Sequence, residues 1–105
     1  MSVIDMNKQI LKEHLESSQP VILDFWAPWC GPCHQFAPVY EKVSHEFPNV
    51  VFGKINVVDN EEIAVDFQIR SIPKVCIIKD GEIIAENYGA IDAERFTAFI
   101  NEHLG

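Results

Sequence analysis

The chain has 105 residues, of which 48% are hydrophobic and 23% are charged, as in an ordinary globular protein with one modest core. Sixteen acidic residues against eight basic ones give a net charge of −8, which argues against nucleic acid and anionic membranes as partners. No apolar run is long enough to span a bilayer, and the first residues lack the basic and apolar segments of a secretory signal. We therefore expect a single cytoplasmic domain over residues 1–105.

The first half of the chain predicts two strands and two helices. Residues 2–5 favour a short edge strand, and residues 7–17 favour a helix whose first residue is an N-cap side chain. Residues 21–26 predict a buried central strand, because five of the six are apolar and they do not alternate with polar residues. A helix follows from the cysteines to about residue 47, and Pro38 inside it should kink the helix because proline lacks a backbone N–H.

The second half predicts a hairpin between two further helices. Its elements are a strand over 50–58, a helix over 60–67, strands over 74–79 and 82–88, and a helix over 92–104. Asp80 and Gly81 form a two-residue hairpin signal, and Asp92 is the N-cap of the last helix. The order βαβαβαββα indicates the α/β class. Helices between the early strands imply a parallel part of the sheet, and the hairpin adds an antiparallel edge.

Two cysteines, Cys30 and Cys33, stand where a strand ends and a helix begins. This spacing places both side chains on one helix face within disulfide reach, and the helix N-terminus stabilises the thiolate that attacks. Gly31 permits tight backbone geometry, and Pro32 removes a donor for which the first turn has no acceptor. The pattern favours reversible disulfide chemistry, since a purely structural disulfide closing so short a loop gains little stability.

Other functions fit parts of the same motif. Cys30 to His34 also satisfies the C-x-x-C-H pattern of c-type haem attachment, but no export signal accompanies it. A structural zinc site would need a second cysteine pair, which the chain lacks. A binding module without redox activity is the other class, and the intact pair argues against a purely structural role.

The chain resembles the thioredoxin family over essentially its whole length. The residues that carry the resemblance are 24–27, 29–33, 37–38, Lys54, 69–73, 79–81 and 89–90. The resemblance implies the thioredoxin fold, a central mixed sheet flanked by helices. It also implies a cis peptide bond between Ile72 and Pro73 that faces the cysteines.

The same resemblance implies a protein-disulfide reductase. Cys30 would be the nucleophile and Cys33 the resolving thiol, and the two would form the redox disulfide. Asp24 matches a buried carboxylate that takes the Cys33 proton, and Lys54 would hold it partly ionised. Thioredoxin reductase and disulfide-containing proteins are the expected partners of a monomer with no cofactor and no metal.

The resemblance further implies a flat docking surface around Cys30. Its members would be Trp29, Gly31, Pro32, Ile72, Pro73, Gly89 and Ala90. Lys74, where a small hydroxyl residue is frequent, is the leading candidate for a difference in specificity, and an outward-pointing surface lysine is the alternative. His34 and Pro28 also depart from the commoner pattern. An imidazole at His34 could make thiolate stability depend on pH, but the sequence favours the alternative, a solvated histidine on the helix face. Cys76 should be an inert thiol in a buried strand.

Overall fold

Within residues 2–105, five strands and four helices follow the predicted order βαβαβαββα. The computed structural model describes these residues, and Met1, which the predicted domain over residues 1–105 includes, lies outside them. The strands are β1 (Val3–Asp5), β2 (Val21–Trp26), β3 (Val51–Asn56), β4 (Lys74–Lys79) and β5 (Glu82–Tyr88). The helices are α1 (Lys8–Leu15), α2 (Gly31–Ser44), α3 (Glu61–Asp66) and α4 (Ala93–Leu104). None of these helices combines the length and apolarity needed to cross a membrane.

The strands form one mixed sheet in the order β1-β3-β2-β4-β5. Strand β3 pairs in parallel with β1 and with β2, whereas β4 pairs antiparallel with β2 and with β5. Strand β2 is therefore central, and its first five residues are buried, as its continuous apolar run predicts. In this register Asp24 lies opposite Lys54 of β3 on one side and Val75 of β4 on the other.

Helices cover both faces of the sheet, and alternation along β2 divides its side chains between two cores. Leu23 and Phe25 pack on the face covered by α1 and α3. Ile22 packs on the opposite face with α2 and α4, which contribute Phe36, Tyr40 and Phe96 to that core. Asp24, two residues beyond Ile22, therefore faces α2.

Tyr40 of α2 connects the helix to the sheet from inside this aromatic core. Its hydroxyl oxygen lies 2.9 Å from the carbonyl of Ile22 and 2.7 Å from that of Gly53, so its proton is shared between β2 and β3. Burial raises the pKa of Tyr40 well above its usual value, and the nearby Asp24 carboxylate adds to this effect. The contribution of Asp24 agrees with a carboxyl group directed toward α2.

The predicted helix caps are present. The side chain of Asn7 accepts a hydrogen bond from the Ile10 N–H at 2.9 Å, and that of Asp92 accepts one from the Arg95 N–H at 2.8 Å. Each bond satisfies a donor that the first helical turn leaves without an intrahelical acceptor.

Several elements are shorter than the sequence predicts; helix α1, for example, ends at Leu15 rather than residue 17. Helix α2 ends at Ser44 rather than near residue 47, because the next N–H groups bond three residues back and tighten the last turn. Strand β3 ends at Asn56 rather than residue 58, because the Asn56 side chain accepts a bond from the Val58 N–H at 2.9 Å. An asparagine that bonds the backbone two residues on forms a turn in place of a strand.

Gly53, in the middle of β3, provides a test of the core packing. A Cβ atom there would lie 2.7 Å from both Sδ and Cε of buried Met6 and 3.2 Å from Cδ2 of Leu23. Gly53→Ala should therefore lower the free energy of unfolding by about 1–3 kcal/mol through overpacking. Urea unfolding followed by circular dichroism measures the change.

Gly31→Ala is the matched control, because no atom lies within 4 Å of a Cβ at that position. Its unfolding free energy should stay within about 1 kcal/mol of the parent. A Gly53→Ala variant as stable as the parent would contradict the expected cost of displacing the buried Met6 side chain.

Candidate active site

The cysteine pair lies at the junction between β2 and α2. The Cys30 N–H donates to the carbonyl of Ala27 at 3.1 Å, which forms a turn directly after the strand. Cys30 is the N-cap of α2, and its sulfur accepts a hydrogen bond from the Cys33 N–H at 3.2 Å. The two sulfurs are joined in a disulfide, with 5.3 Å between the Cα atoms. The helix dipole and the Cys33 N–H therefore both act on the Cys30 sulfur, where they favour negative charge.

Both cysteines are largely covered, whereas their neighbours are exposed. Cys30 is 5% exposed and Cys33 is 3% exposed, but the neighbouring Trp29 is 73% exposed. Gly31 and Pro32, which open α2, are exposed as well. A substrate disulfide can therefore reach Cys30 only by close contact with the surrounding surface.

The loops before β4 and after β5 complete the surroundings of Cys30. The predicted cis peptide bond between Ile72 and Pro73 is present, and the Ile72 carbonyl oxygen lies 4.0 Å from the Cys30 sulfur. The Gly89 N–H donates to the Pro73 carbonyl at 2.8 Å, and Ala90 next to it is exposed. The structure thus brings the loop before β4 to Cys30 and bonds Gly89, after β5, to that loop.

A groove of about 400 Å³ lies beside Trp29, between it, α3 and the loop before β4. The residues that line it are Trp29, Val57, Glu61, Ala64, Val65, Ile69, Arg70, Ser71 and Ile72. Most of them are apolar, and the groove shares Trp29 and Ile72 with the surroundings of Cys30. The α3 side of this groove was not identified from the sequence, because its residues approach Trp29 only in the folded chain.

Asp24 is a carboxyl group inside the core. It is 1% exposed, and its Oδ1 has no hydrogen-bond partner within residues 2–105. Burial raises the pKa of Asp24 to about 7, and the positive charge of Lys54 opposes part of this rise. A carboxyl group with this pKa exchanges a proton readily near neutral pH.

Lys54 lies opposite Asp24 on β3, but its ammonium group takes another partner. Its Nζ lies 4.6 Å from the centre of the Trp26 ring, and no ion pair of Lys54 occurs within residues 2–105. Lys54 therefore acts on Asp24 through its charge and not through a direct bond. Trp26 lies two residues beyond Asp24 on the same face of β2, and this spacing is the signal in the sequence for the contact.

Lys74 differs in placement from the other predicted docking residues. It is 3% exposed, and its Nζ lies 3.6 Å from Oε2 of Glu86 and 4.9 Å from the centre of the Tyr88 ring. The ammonium group is thus directed along the hairpin and covered, which excludes the alternative of an outward-pointing surface lysine. Sequence reasoning did not identify Glu86 and Tyr88, because their pairing with Lys74 depends on the hairpin register.

The structure also shows what surrounds His34 and Cys76. Nε2 of His34 donates to the Pro28 carbonyl at 2.6 Å, so the imidazole fastens the first turn of α2 to the turn before Cys30. Cys76 is fully buried, as predicted, and burial raises the pKa of its thiol to about 11. At neutral pH this thiol is protonated and unreactive. Within residues 2–105 no group of three or more His, Cys, Asp or Glu side chains is arranged to hold a metal ion.

The chain is similar to known thioredoxins over nearly its whole length. The family model named Thioredoxin matches residues 2–102. The thioredoxin of Haemophilus influenzae is 43% identical over 91 residues, which cover 86% of this chain and 85% of that protein. The thioredoxin of Chlorobaculum thiosulfatiphilum is 38% identical over 100 residues, which cover 94% of this chain and 93% of that protein.

Solved structures agree with these relatives. The crystal structure of the Malassezia sympodialis thioredoxin Mala s 13 superimposes with a TM-score of 0.87 at 34% identity, covering 96% of this chain and 90% of that one. The mixed sheet and the cysteine pair at the helix N-terminus agree with these relatives. The chain therefore belongs to the thioredoxin family of protein-disulfide oxidoreductases.

Proposed function

We propose that the chain acts mainly in the reducing direction, passing two electrons from its dithiol form to disulfides in other proteins. The observation that carries this proposal is the position of Cys30 as the N-cap of α2, with the Cys33 N–H directed at its sulfur. In the reduced protein this arrangement lowers the energy of the Cys30 thiolate. A thiolate, and not a thiol, attacks a disulfide.

In the first step the Cys30 thiolate attacks one sulfur of a substrate disulfide. The substrate S–S bond breaks, a bond forms between Cys30 and the attacked sulfur, and the other substrate sulfur leaves as a thiolate. The Ile72 carbonyl, 4.0 Å from the Cys30 sulfur, lies where an incoming chain must pass.

In the second step Cys33 resolves the mixed disulfide. The Cys33 thiol gives its proton to the Asp24 carboxylate, and its sulfur attacks Cys30. The Cys30–substrate bond breaks, the second substrate sulfur leaves as a thiolate, and the Cys30–Cys33 disulfide remains. A pKa of about 7 suits Asp24 to this task, and the charge of Lys54 keeps part of the carboxyl population ionised and able to accept the proton.

The surface around Cys30 is the proposed docking site for substrates. Exposed Trp29 and the groove that it shares with Ile72 suit apolar side chains of a partner. The other proposed contacts are Gly31, Pro32, Pro73, Gly89 and Ala90. This set combines apolar area with accessible backbone, which suits transient binding of many different protein disulfides.

We further propose that a thioredoxin reductase regenerates the dithiol and that the chain works as a cytoplasmic monomer, one domain over residues 1–105. The names of the curated relatives support the reductase in general terms. Cys30 and Cys33 form a disulfide that closes a short loop, and Cys76 is a buried free thiol. This use of cysteine fits a reducing compartment, where structural disulfides are rare.

Cys30→Ser should abolish the acceleration of insulin reduction by dithiothreitol over the rate with dithiothreitol alone, because it removes the attacking thiolate. Turbidity of the precipitating insulin B chain measures the rate. Cys33→Ser, reduced beforehand and mixed with insulin after the dithiothreitol has been removed, should instead accumulate a Cys30–substrate mixed disulfide, visible as a covalent adduct on a non-reducing gel. A Cys30→Ser variant as active as the parent would rule out the mechanism.

Cys76→Ala is the matched control for loss of a thiol, and its rate should equal that of the parent because Cys76 is buried in the sheet. Replacing dithiothreitol with NADPH and a thioredoxin reductase tests the partner separately. Activity with dithiothreitol but not with NADPH and the reductase would support the exchange mechanism but refute regeneration by a thioredoxin reductase.

Asp24→Asn should change how stability depends on pH. The Asp24 carboxyl has a pKa of about 7 in the folded protein, against about 3.9 in an unfolded chain. Between these values the folded state binds more protons, so the unfolding free energy of the oxidised parent should fall from about pH 4 to about pH 7 and then level off. The asparagine side chain cannot ionise, so the unfolding free energy of the variant does not fall in this range. Above pH 7 the variant should be more stable than the parent by on the order of 4 kcal/mol.

Urea unfolding of both oxidised proteins across this pH range measures the difference. Glu13→Gln, at an exposed position on α1, controls for the general effect of removing one negative charge. A difference between parent and Asp24→Asn that does not vary with pH would be incompatible with an ionisable carboxyl in the core.

A further inference from the structure

Lys74 is a buried cation that the proposed exchange mechanism does not use. Its side chain is 4% exposed, whereas its two partners on β5 are partly in solvent, with the Glu86 side chain 42% exposed and Tyr88 52% exposed. Removing an ammonium group from water is costly unless opposite charge or an aromatic face compensates. Glu86 and Tyr88 provide both kinds of compensation, so Lys74 attracts two side chains of the edge strand toward β4.

This contact lies directly behind the docking surface. Lys74 follows Pro73, and its backbone partner Tyr88 precedes Gly89. The next link between the two strands is the hydrogen bond from the Gly89 N–H to the Pro73 carbonyl, at 2.8 Å. The lysine contact and this bond therefore hold together the ends of the two loops that face Cys30.

A β-bulge in the hairpin creates the contact. Pairing begins at the turn with Lys79 opposite Glu82 and Ile78 opposite Ile83, but Ile77 is opposite Ala85, so Ile84 is skipped. Without this extra residue Lys74 would lie opposite Asn87, and Tyr88 and Glu86 would point to the other face of the sheet. The bulge thus places an aromatic ring and a carboxylate on the same face as the buried lysine.

The contact also acts at an edge of the sheet. Strand β5 is an edge strand and has hydrogen-bonded neighbours on one side only. Its last residues lead into Gly89, which has a φ of 89° and begins the loop that faces Cys30. A side-chain anchor at Tyr88 opposes fraying of the strand at this end.

We propose that Lys74 is a positioning residue for substrate docking: by holding Tyr88 it keeps Gly89 bonded to Pro73 and so fixes the docking loops relative to Cys30. This role rests on the proposed reduction of protein disulfides. Protein substrates, which contact both loops, need the fixed arrangement. A small disulfide that touches only the Cys30 sulfur does not.

Lys74→Met tests the proposal, because methionine keeps most of the length of the chain and suits a buried position but cannot bind Glu86 or the ring as a cation. The KM for insulin should rise about three- to tenfold, as expected for loss of a partly buried cation–π contact with its ion pair, with kcat unchanged. Hydrogen exchange of the Gly89 amide, measured by NMR, should accelerate by a similar factor. The rate with the small aromatic disulfide DTNB should change less than about twofold.

Matched variants separate the contact from general effects. Lys79→Met removes an exposed lysine at the far end of β4, and its KM and Gly89 exchange should equal those of the parent. Lys74→Arg retains a cation that stacks on aromatic rings and should restore most of the affinity for insulin. Tyr88→Leu, at a half-exposed position, should reproduce the Lys74→Met effect even if the latter variant folds poorly. The double variant should be no worse than Lys74→Met alone, because that change already removes the contact with Tyr88.

Three results would contradict the positioning role of Lys74 or the proposed function. Unchanged KM and unchanged Gly89 exchange in the Lys74→Met and Tyr88→Leu variants would overturn the positioning role. A parallel loss of insulin and DTNB turnover, with a lowered melting temperature, would also overturn it, since this is what a purely structural lysine predicts. A parent protein that reduces DTNB but not insulin would refute the proposed function itself, and this result is distinguishable because it needs no variant.

Discussion

Strand β2 is hydrogen-bonded to β3 on one side and to β4 on the other, and this double pairing determines where each part of the site lies. The end of the strand leads into the turn that makes Cys30 the N-cap of α2. The pairing with β3 sets Lys54 opposite Asp24, and the antiparallel pairing with β4 sets the start of β4, and hence Pro73, beside the end of β2. A change in either register would separate the cysteines from the groups that surround them.

Asp24 and Lys74, on neighbouring strands, show that the effect of burial on an ionisable group depends on its partners. Asp24 has a carboxyl oxygen without a hydrogen-bond partner in the described chain, so desolvation dominates and its pKa approaches neutrality. Lys74 is covered to a similar degree, but Glu86 and Tyr88 compensate its charge. The first arrangement favours a group that exchanges protons, and the second favours a fixed charge that holds structure. The same sheet thus supports a chemical role on one face and a mechanical one on the other.

Much of the fold was predictable because its signals are local. The order of the elements, the caps at Asn7 and Asp92, and the bounds of β2, β4 and β5 follow from short patterns of apolar, polar and turn residues. The turn at Asp80 and Gly81 has positive φ at both residues, as its sequence predicts. Element ends were less predictable, as at Asn56, where a side chain bonds the backbone and ends the strand.

The sequence by itself determined the redox pair and its setting, because Cys30 and Cys33 need only the end of one strand and the start of one helix to be in place. Only the tertiary structure decided how distant charges act on that setting. The Lys54 ammonium lies over the Trp26 ring and forms no ion pair with Asp24, and that of Lys74 is directed toward Glu86 and Tyr88. Both outcomes depend on strand register and on which atoms lose contact with water, and these follow from pairing between segments far apart in the chain. A single skipped residue in β5 changes the face on which a side chain lies, and no local pattern records it.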